Sequence, residues 1–218
     1  MKSTINILLV DDHEVVRLGF QMLLSSYPQI GEISTSCCGE EALTHCRMYQ
    51  PDVVVMDLSM PGIGGLEAIR RILRSSPDTI ILVYSIHEAA IYEQRSIQAG
   101  ARGYINKNRA AEVLAEAIFT VSQGEMYSEL PSADTHNSLK PASSETDPIE
   151  QKIESLSPRE FDVFCLLAKG MNTREISENL CLGYKTIANY SSQIKNKLNA
   201  NTLVDLTYIA MNSGLIKL

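Results

Sequence analysis

Nowhere in the 218 residues is there a run of about 18 apolar positions, so no membrane-spanning helix is expected. The apolar stretch near the start, Ile5-Asn6-Ile7-Leu8-Leu9-Val10, is too short for a secretory signal and has no small-residue cleavage site after it. A cytoplasmic protein is the expectation. Cys-x-x-Cys pairs are missing, and no His stands at ligand spacing from a Cys, which excludes the usual structural zinc patterns. The five Cys (Cys37, Cys38, Cys46, Cys165 and Cys181) read as reduced, mostly buried small residues, with a redox role for the adjacent Cys37-Cys38 as the sharper alternative. No internal repeat is visible. Excess positive charge is missing too. The net charge of −7 does not advertise a nucleic-acid binder.

The charge is uneven, however. Residues 1–148 hold 11 Lys and Arg against 19 Asp and Glu, net −8, and residues 149–218 hold 8 against 7, net +1. From Leu180 to Val204 there is no acid at all, while Lys185, Lys195 and Lys197 are present. An acidic front and a locally basic back imply two domains with different partners.

What is present is ordinary globular composition, 44% hydrophobic and 21% charged. Strand-like and helix-like segments alternate over the first 124 residues. The strands are Ile5–Val10, a weak Gly31–Ser34, Val53–Met56, Thr79–Tyr84 and Gly103–Ile105. Between and after them, helical spacing marks Glu14–Ser26, Glu40–Met48, Leu66–Leu73, Ala89–Gln98 and Ala110–Ser122. Five such repeats imply an α/β fold, a doubly wound five-stranded parallel sheet of flavodoxin-like type. Residues 125–148 are rich in Ser, Pro, Thr, Asp and Asn and read as a linker. Residues 149–218 read as an all-α domain of four helices, Ser157–Lys169, Thr173–Leu180, Tyr184–Leu198 and Thr202–Asn212. Ser157, Pro158 and Glu160 make a helix-start signal, and Gly170 a helix stop.

In a parallel sheet the carboxyl ends of the strands share one edge. Asp11 and Asp12 follow the first strand, Asp57 the third, Ser85 the fourth and Lys107 the fifth. Three carboxylates at one edge repel one another unless a cation neutralises them. Mg²⁺ (or Mn²⁺), with its oxygen ligands, suits that role. A carboxylate beside the ion is placed to attack phosphorus, and a cation and a hydroxyl, Lys107 and Ser85, are the groups needed for the charge on the phosphoryl oxygens. Taken singly, an Asp after a strand is a helix cap and a Lys a solvated charge. The five together in register with the strand ends carry the functional reading.

The segments "ILLVDDHEVVRLGF", "PDVVVMDLSMPGIGGLEAIRRI", "LVYSIHE" and "AGARGYINKN" resemble the receiver domain of two-component response regulators over residues 4–123. The resemblance implies that Asp57 is the phosphoacceptor. It implies that Asp12, Asp57 and the Ser59 carbonyl hold the metal, with Asp11 acting through water. Ser85 and Lys107 match the pair that binds the phosphoryl group, Tyr104 the aromatic switch, and Pro61-Gly62 the turn beside the site. Ile86 is bulkier than the Ala of many receivers, and Asn108 stands where many carry Pro. His13 and His87 flank the site, as surface neighbours that tune access or, alternatively, as relay or metal groups.

A short helix, a turn through Cys181-Leu182-Gly183 and a polar second helix form a helix-turn-helix pattern. The segment from Leu156 to Ala210 resembles the LuxR-type DNA-binding domain of the NarL/FixJ family, and its "KTIANY" most resembles the GacA/UvrY/BvgA group. This implies a homodimer on double-stranded promoter DNA, with Tyr184–Leu198 in the major groove. Asn189, Ser192 and Gln193 are the base-reading candidates. Lys185, Thr186, Tyr190 and Lys195 are the backbone candidates. Lys197 is either a DNA contact or a solvated charge, and Arg159 and Glu160 serve capping and internal pairing. Ala188 replaces a Lys, and Tyr190 a His, of many family members. The implied partner is a sensor histidine kinase or phosphotransfer protein. Two other readings compete. Haloacid-dehalogenase-like enzymes need an acid two residues after the nucleophile, where this chain has Ser59. A receiver acting by protein contact alone would not need the intact helix-turn-helix.

Overall fold

The computed structural model describes residues 4–128 and 148–216. The chain divides into two compact units, one ending at Glu129 and the other starting at Leu130. Unit one runs β1 (Ile5–Val10), α1 (Glu14–Leu24), β2 (Ile30–Ser36), α2 (Gly39–Tyr49), β3 (Val53–Met56), α3 (Gly65–Ser75), β4 (Ile80–Ser85), α4 (Ala90–Ala99), β5 (Gly103–Asn106) and α5 (Ala111–Ser122). All strands are parallel, in the order β2-β1-β3-β4-β5.

This is the five-stranded sheet the sequence implies. β2 is longer than expected at both ends, because its polar face hides its strand character. The central strands are apolar on both faces, as strands covered on both sides by helices must be. Ile7, Leu9, Val53, Val55, Leu82, Tyr84 and Ile105 pack with Leu114, Ile118 and Val121 of α5 and Leu24 of α1. The alternate residues Leu8, Val54, Met56, Ile81 and Val83 are equally buried, on the opposite face by the two-residue period.

Only the first four residues of the expected 125–148 linker and its last, Pro148, are described. Tyr127 bridges Gly103 in parallel register, with Tyr104 N donating to Tyr127 O at 3.1 Å and Tyr127 N to Arg102 O at 3.0 Å. A Cβ on Gly103 would lie 2.7 Å from Tyr127 O, so glycine is what admits this approach. Ser128 Oγ donates to Glu93 Oε1 of α4 at 2.5 Å. Residues 129–147 lie outside the described residues.

Unit two contains α6 (Pro148–Glu154), α7 (Pro158–Ala168), α8 (Thr173–Asn179), α9 (Tyr184–Leu198) and α10 (Leu203–Asn212). The last four are those expected. The short α6 is an addition, packing against α9 with Ile153 buried. Three capping boxes fix helix starts: Ser157 with Glu160, Asn172 with Glu175, and Thr202 with Asp205. Each is worth roughly 1 kcal/mol. Gly170, at φ +85°, takes the left-handed turn after α7.

One cap reaches further. Glu160 is 4% exposed and accepts from the Ser157 amide and from Lys197 Nζ, each at 2.7 Å. Lys197, itself exposed, is therefore an ion-pair partner of α7. Burial alone would raise the Glu160 carboxyl. The hydrogen bonds from Lys197 and Ser157 outweigh it and hold the group below its ordinary value. A carboxyl lowered by folding stabilises above its unfolded pKa, and the contribution is lost as pH falls through the folded value. Glu160→Gln is expected to cost about 1–3 kcal/mol at pH 7. The deficit should shrink as pH falls below the ordinary 4.5. Urea unfolding of both proteins between neutral and acid pH measures it, and a pH-independent difference would refute the pairing.

Candidate functional site

The sheet brings the sequence-predicted residues to its carboxyl edge through backbone pairing. Asp11 N donates to Ser36 O at 3.2 Å and Asp57 N to Val10 O at 2.9 Å, extending the ladders just past the strands. Lys107 N donates to Ser85 O at 2.7 Å. α3 starts against the Asp57 backbone, where a Cβ on Gly65 would collide with Asp57 O and Leu58 Cα. Gly62, at φ +83°, shapes the turn between them.

Lys107 holds the centre. Its Nζ donates to Asp11 Oδ2 at 2.5 Å and Asp57 Oδ2 at 2.7 Å. Both carboxylates are almost fully buried, Asp11 at 5% and Asp57 at 3% exposure. Burial pushes the Asp57 carboxyl up, and nearby Asp11 adds to it, while Lys107 and the Ser59 amide at 3.2 Å pull it down; the net direction is upward. For Lys107, burial lowers the ammonium, but Asp57 and Asp11 outweigh it and the group sits above its ordinary value.

Asp12 and Ser85 are at the same edge but outside the Lys107 pairs. The Asp12 carboxylate is exposed and pairs with His13 Nδ1 at 2.9 Å, and His13 N donates to Asp11 Oδ1 at 2.8 Å. Asp11, Asp12 and His13 offer ligand atoms within 4.8 Å of one another. The fully buried Ser85 hydroxyl accepts from His87 N at 3.4 Å.

His87 is the residue whose part the sequence hid. Its carbonyl accepts from Tyr104 OH at 2.7 Å and Asn106 Nδ2 at 3.0 Å. Its Nε2 is 2.9 Å from Ser59 Oγ, and its ring stacks on Tyr92 at 3.9 Å. Tyr104 is 4% exposed, so the switch candidate lies inward. Asn108 Nδ2 donates to Glu88 Oε1 at 2.9 Å, and its backbone N donates to Asn106 Oδ1 at 2.8 Å. The Ile86 side chain is exposed.

In unit two, α9 buries Ile187, Ile194 and Leu198 on one side. Lys185, Thr186, Asn189, Ser192 and Gln193 are exposed, and Tyr190 and Lys195 are half-buried at the flanks. Helical spacing puts Asn196, also exposed, in line with Lys185, Asn189 and Ser192. Sequence reading did not single out Asn196, although its spacing of seven from Asn189 was the available signal. Ala188 is exposed at the edge of this face.

Both units match known families. The model of the response regulator receiver domain matches residues 7–119, and that of the bacterial regulatory proteins of the luxR family matches residues 154–210. The response regulator UvrY of Escherichia coli K12 is 39% identical over 211 residues, covering 97% of this chain and 95% of that protein. The response regulator GacA of Pseudomonas aeruginosa is 36% identical over 212 residues, covering 97% and 98%. Among solved structures, RcsB from Salmonella enterica serovar Typhimurium, bound to the rprA promoter in the presence of the phosphomimetic BeF3−, superposes with TM-score 0.64. It covers 94% of this chain and 98% of that one at 20% identity, a likeness of fold. A receiver followed by a luxR-type helical domain defines a two-component response regulator, a transcription regulator and not an enzyme. The chain belongs to the NarL/FixJ family of response regulators, in the group of GacA and UvrY. No helix among the described residues is long and apolar enough to cross a membrane.

Proposed function

We propose that Asp57 accepts a phosphoryl group from a sensor histidine kinase or phosphotransfer protein, and that the phosphorylated chain binds promoter DNA as a homodimer. Residues 1–124 are the receiver, 125–148 the linker and 149–218 the DNA-binding domain of that reading. The observation that carries it is Lys107 bridging Asp11 and Asp57 at 2.5 and 2.7 Å on the sheet edge.

Phosphoryl transfer follows from these groups. An Asp57 Oδ attacks phosphorus, the bond to the donor nitrogen breaks, and an acyl phosphate forms with the donor as leaving group. Lys107 then exchanges its carboxylate partners for phosphoryl oxygens, and the Ser85 hydroxyl supplies a second donor. The donor set fits a divalent cation, since Asp11, Asp12 and Asp57 gather carboxylates at one edge against a single lysine. Asp12, Asp57 and the Ser59 carbonyl would hold Mg²⁺ (or Mn²⁺), with Asp11 acting through water, and the ion would neutralise this excess charge. Withdrawal of Ser85 Oγ from the His87 amide would disturb the carbonyl that Tyr104 and Asn106 share. That links phosphorylation to the β4–α4 loop. On DNA, Asn189, Ser192 and Gln193 read base edges, while Lys185, Thr186, Tyr190 and Lys195 hold the backbone.

The test is intact mass after incubation with acetyl phosphate and Mg²⁺. The expected result is one added phosphoryl group, labile to hydroxylamine, in the native chain and none in Asp57→Asn. DNA binding by the native chain should then rise on phosphorylation. An adduct that persists in Asp57→Asn, or none with any donor, would overturn the assignment.

A further inference from the structure

Between the end of β2 and the first turn of α2 stands a cluster that the phosphorylation site does not use. Cys37 is exposed and Cys38 half-buried, although free Cys belongs to the most buried residue types. The two thiols and the Glu41 carboxylate have ligand atoms within 4.8 Å of one another. Glu41 Oε2 accepts from Cys37 N at 2.6 Å, which holds the carboxylate over the pair. Cys38 is the N-cap residue of α2, with φ −156° and ψ 167°, and its side chain makes no capping hydrogen bond. A Ser, Asp or Asn there would gain roughly 1 kcal/mol of capping. Cys forgoes it and leaves two sulfur donors at a helix start, where negative charge is favoured.

We propose that Cys37, Cys38 and Glu41 bind one thiophilic divalent cation of the zinc class. Metal–sulfur bonds of about 2.3 Å in tetrahedral geometry place two sulfurs about 3.8 Å apart. The three ligand atoms already lie within 4.8 Å of one another, close to that spacing. Water completes the fourth position. On binding, both thiols lose their protons to solvent and two metal–sulfur bonds form, so the site passes from −1 with neutral thiols to −1 with the ion bound. Charge balance therefore does not oppose occupancy. A sensor of oxidants is the less fitting use. Hydrogen bonding to Glu41, burial and the charge of Glu41 all push the Cys37 thiol up, which keeps it neutral and a poor nucleophile. A divalent cation reverses that effect, because a coordinated thiol is deprotonated outright. The two ligand clusters also differ in softness. Asp11, Asp12 and His13 offer mainly oxygen, whereas this one offers sulfur, so the two sites select different ions.

The test uses the reduced full-length chain in excess Mg²⁺, which occupies the acidic pocket, with Cd²⁺ as the probe and thiolate-to-metal absorption as the readout. The expected result is one saturable Cd²⁺ per chain with the band of two thiolates, displaced by Zn²⁺. Cys37→Ser and Cys38→Ser should each halve the band and weaken binding at least roughly tenfold, while Glu41→Gln keeps the band and weakens binding. Cys181→Ser, which removes the other exposed thiol, should change nothing. Circular dichroism of the variants checks that the fold persists. No saturable binding, or a band lost in Cys181→Ser but kept in Cys37→Ser, would overturn the proposal.

Discussion

Lys107→Met is expected to lower receiver stability by about 3–5 kcal/mol at pH 7 when divalent ions are chelated, on the order of 10–25 °C in melting temperature. The magnitude follows from what the lysine leaves behind. Asp11 and Asp57 are both nearly inaccessible, and Lys107 ion-pairs with both of them. Its own ammonium is held above the ordinary 10.5. A base raised by folding contributes stability fully below its unfolded pKa, and loses it only as pH rises through the folded value. The bridge is thus wholly present at neutral pH. Removing it leaves two buried carboxylates without compensation, a costlier state than an apolar pair of the same shape. Two further results are expected. Mg²⁺ should restore more stability to Lys107→Met than it adds to the native chain, because it takes over the neutralising role. Asp57→Asn in the Lys107→Met background should recover part of the loss, since one of the stranded charges is gone. Thermal melts of these three proteins with Mg²⁺ and with chelator measure all of this. Equal melting temperatures for native and Lys107→Met chains would mean that the pocket is hydrated and the pairs are screened.

Much of this site was legible because strand ends in a parallel sheet are predictable from apolar runs alone. Val53–Met56 is all apolar, its bounds are those expected, and Asp57 follows at once. The same logic places Asp11, Ser85 and Lys107 without any knowledge of packing. What stayed hidden depends on contacts distant in sequence or made by backbone atoms. The carbonyl of His87 gathers Tyr104 and Asn106, and no side-chain pattern announces a carbonyl. Lys197 pairs with Glu160 across 37 positions, a partner that its local setting on a polar helix does not announce. Tyr127 joins β5 as a single bridge, too short for any periodicity to register. α6 is seven residues long behind a polar stretch, and a helix of two turns gains its stability from docking rather than propensity.

On DNA, the side chains of α9 are expected to separate into two kinds by how their loss responds to salt. Asn189 and Gln193 lie on the exposed face, opposite the buried Ile187, Ile194 and Leu198. If they pair with base edges, Asn189→Ala and Gln193→Ala should each cost about 1–3 kcal/mol on the preferred site, roughly ten- to hundredfold, and far less on random sequence. As phosphate contacts, Lys185 and Lys195 would act through charge. Lys185→Ala and Lys195→Ala should weaken specific and random DNA alike, and each should reduce the slope of log K against log salt by about one. Lys197 is the internal control. It stands on the same helix with the same charge, but its ammonium is spent on Glu160 at 2.7 Å. Lys197→Ala should therefore lower the stability of the helical unit and leave the salt slope unchanged. Binding isotherms of the phosphorylated chain at several salt concentrations, on a preferred and a scrambled duplex, give every one of these quantities. A salt slope that falls for Lys197→Ala but not for Lys185→Ala would turn the recognition face by about a third of the helix circumference, toward the flank on which Tyr190 lies.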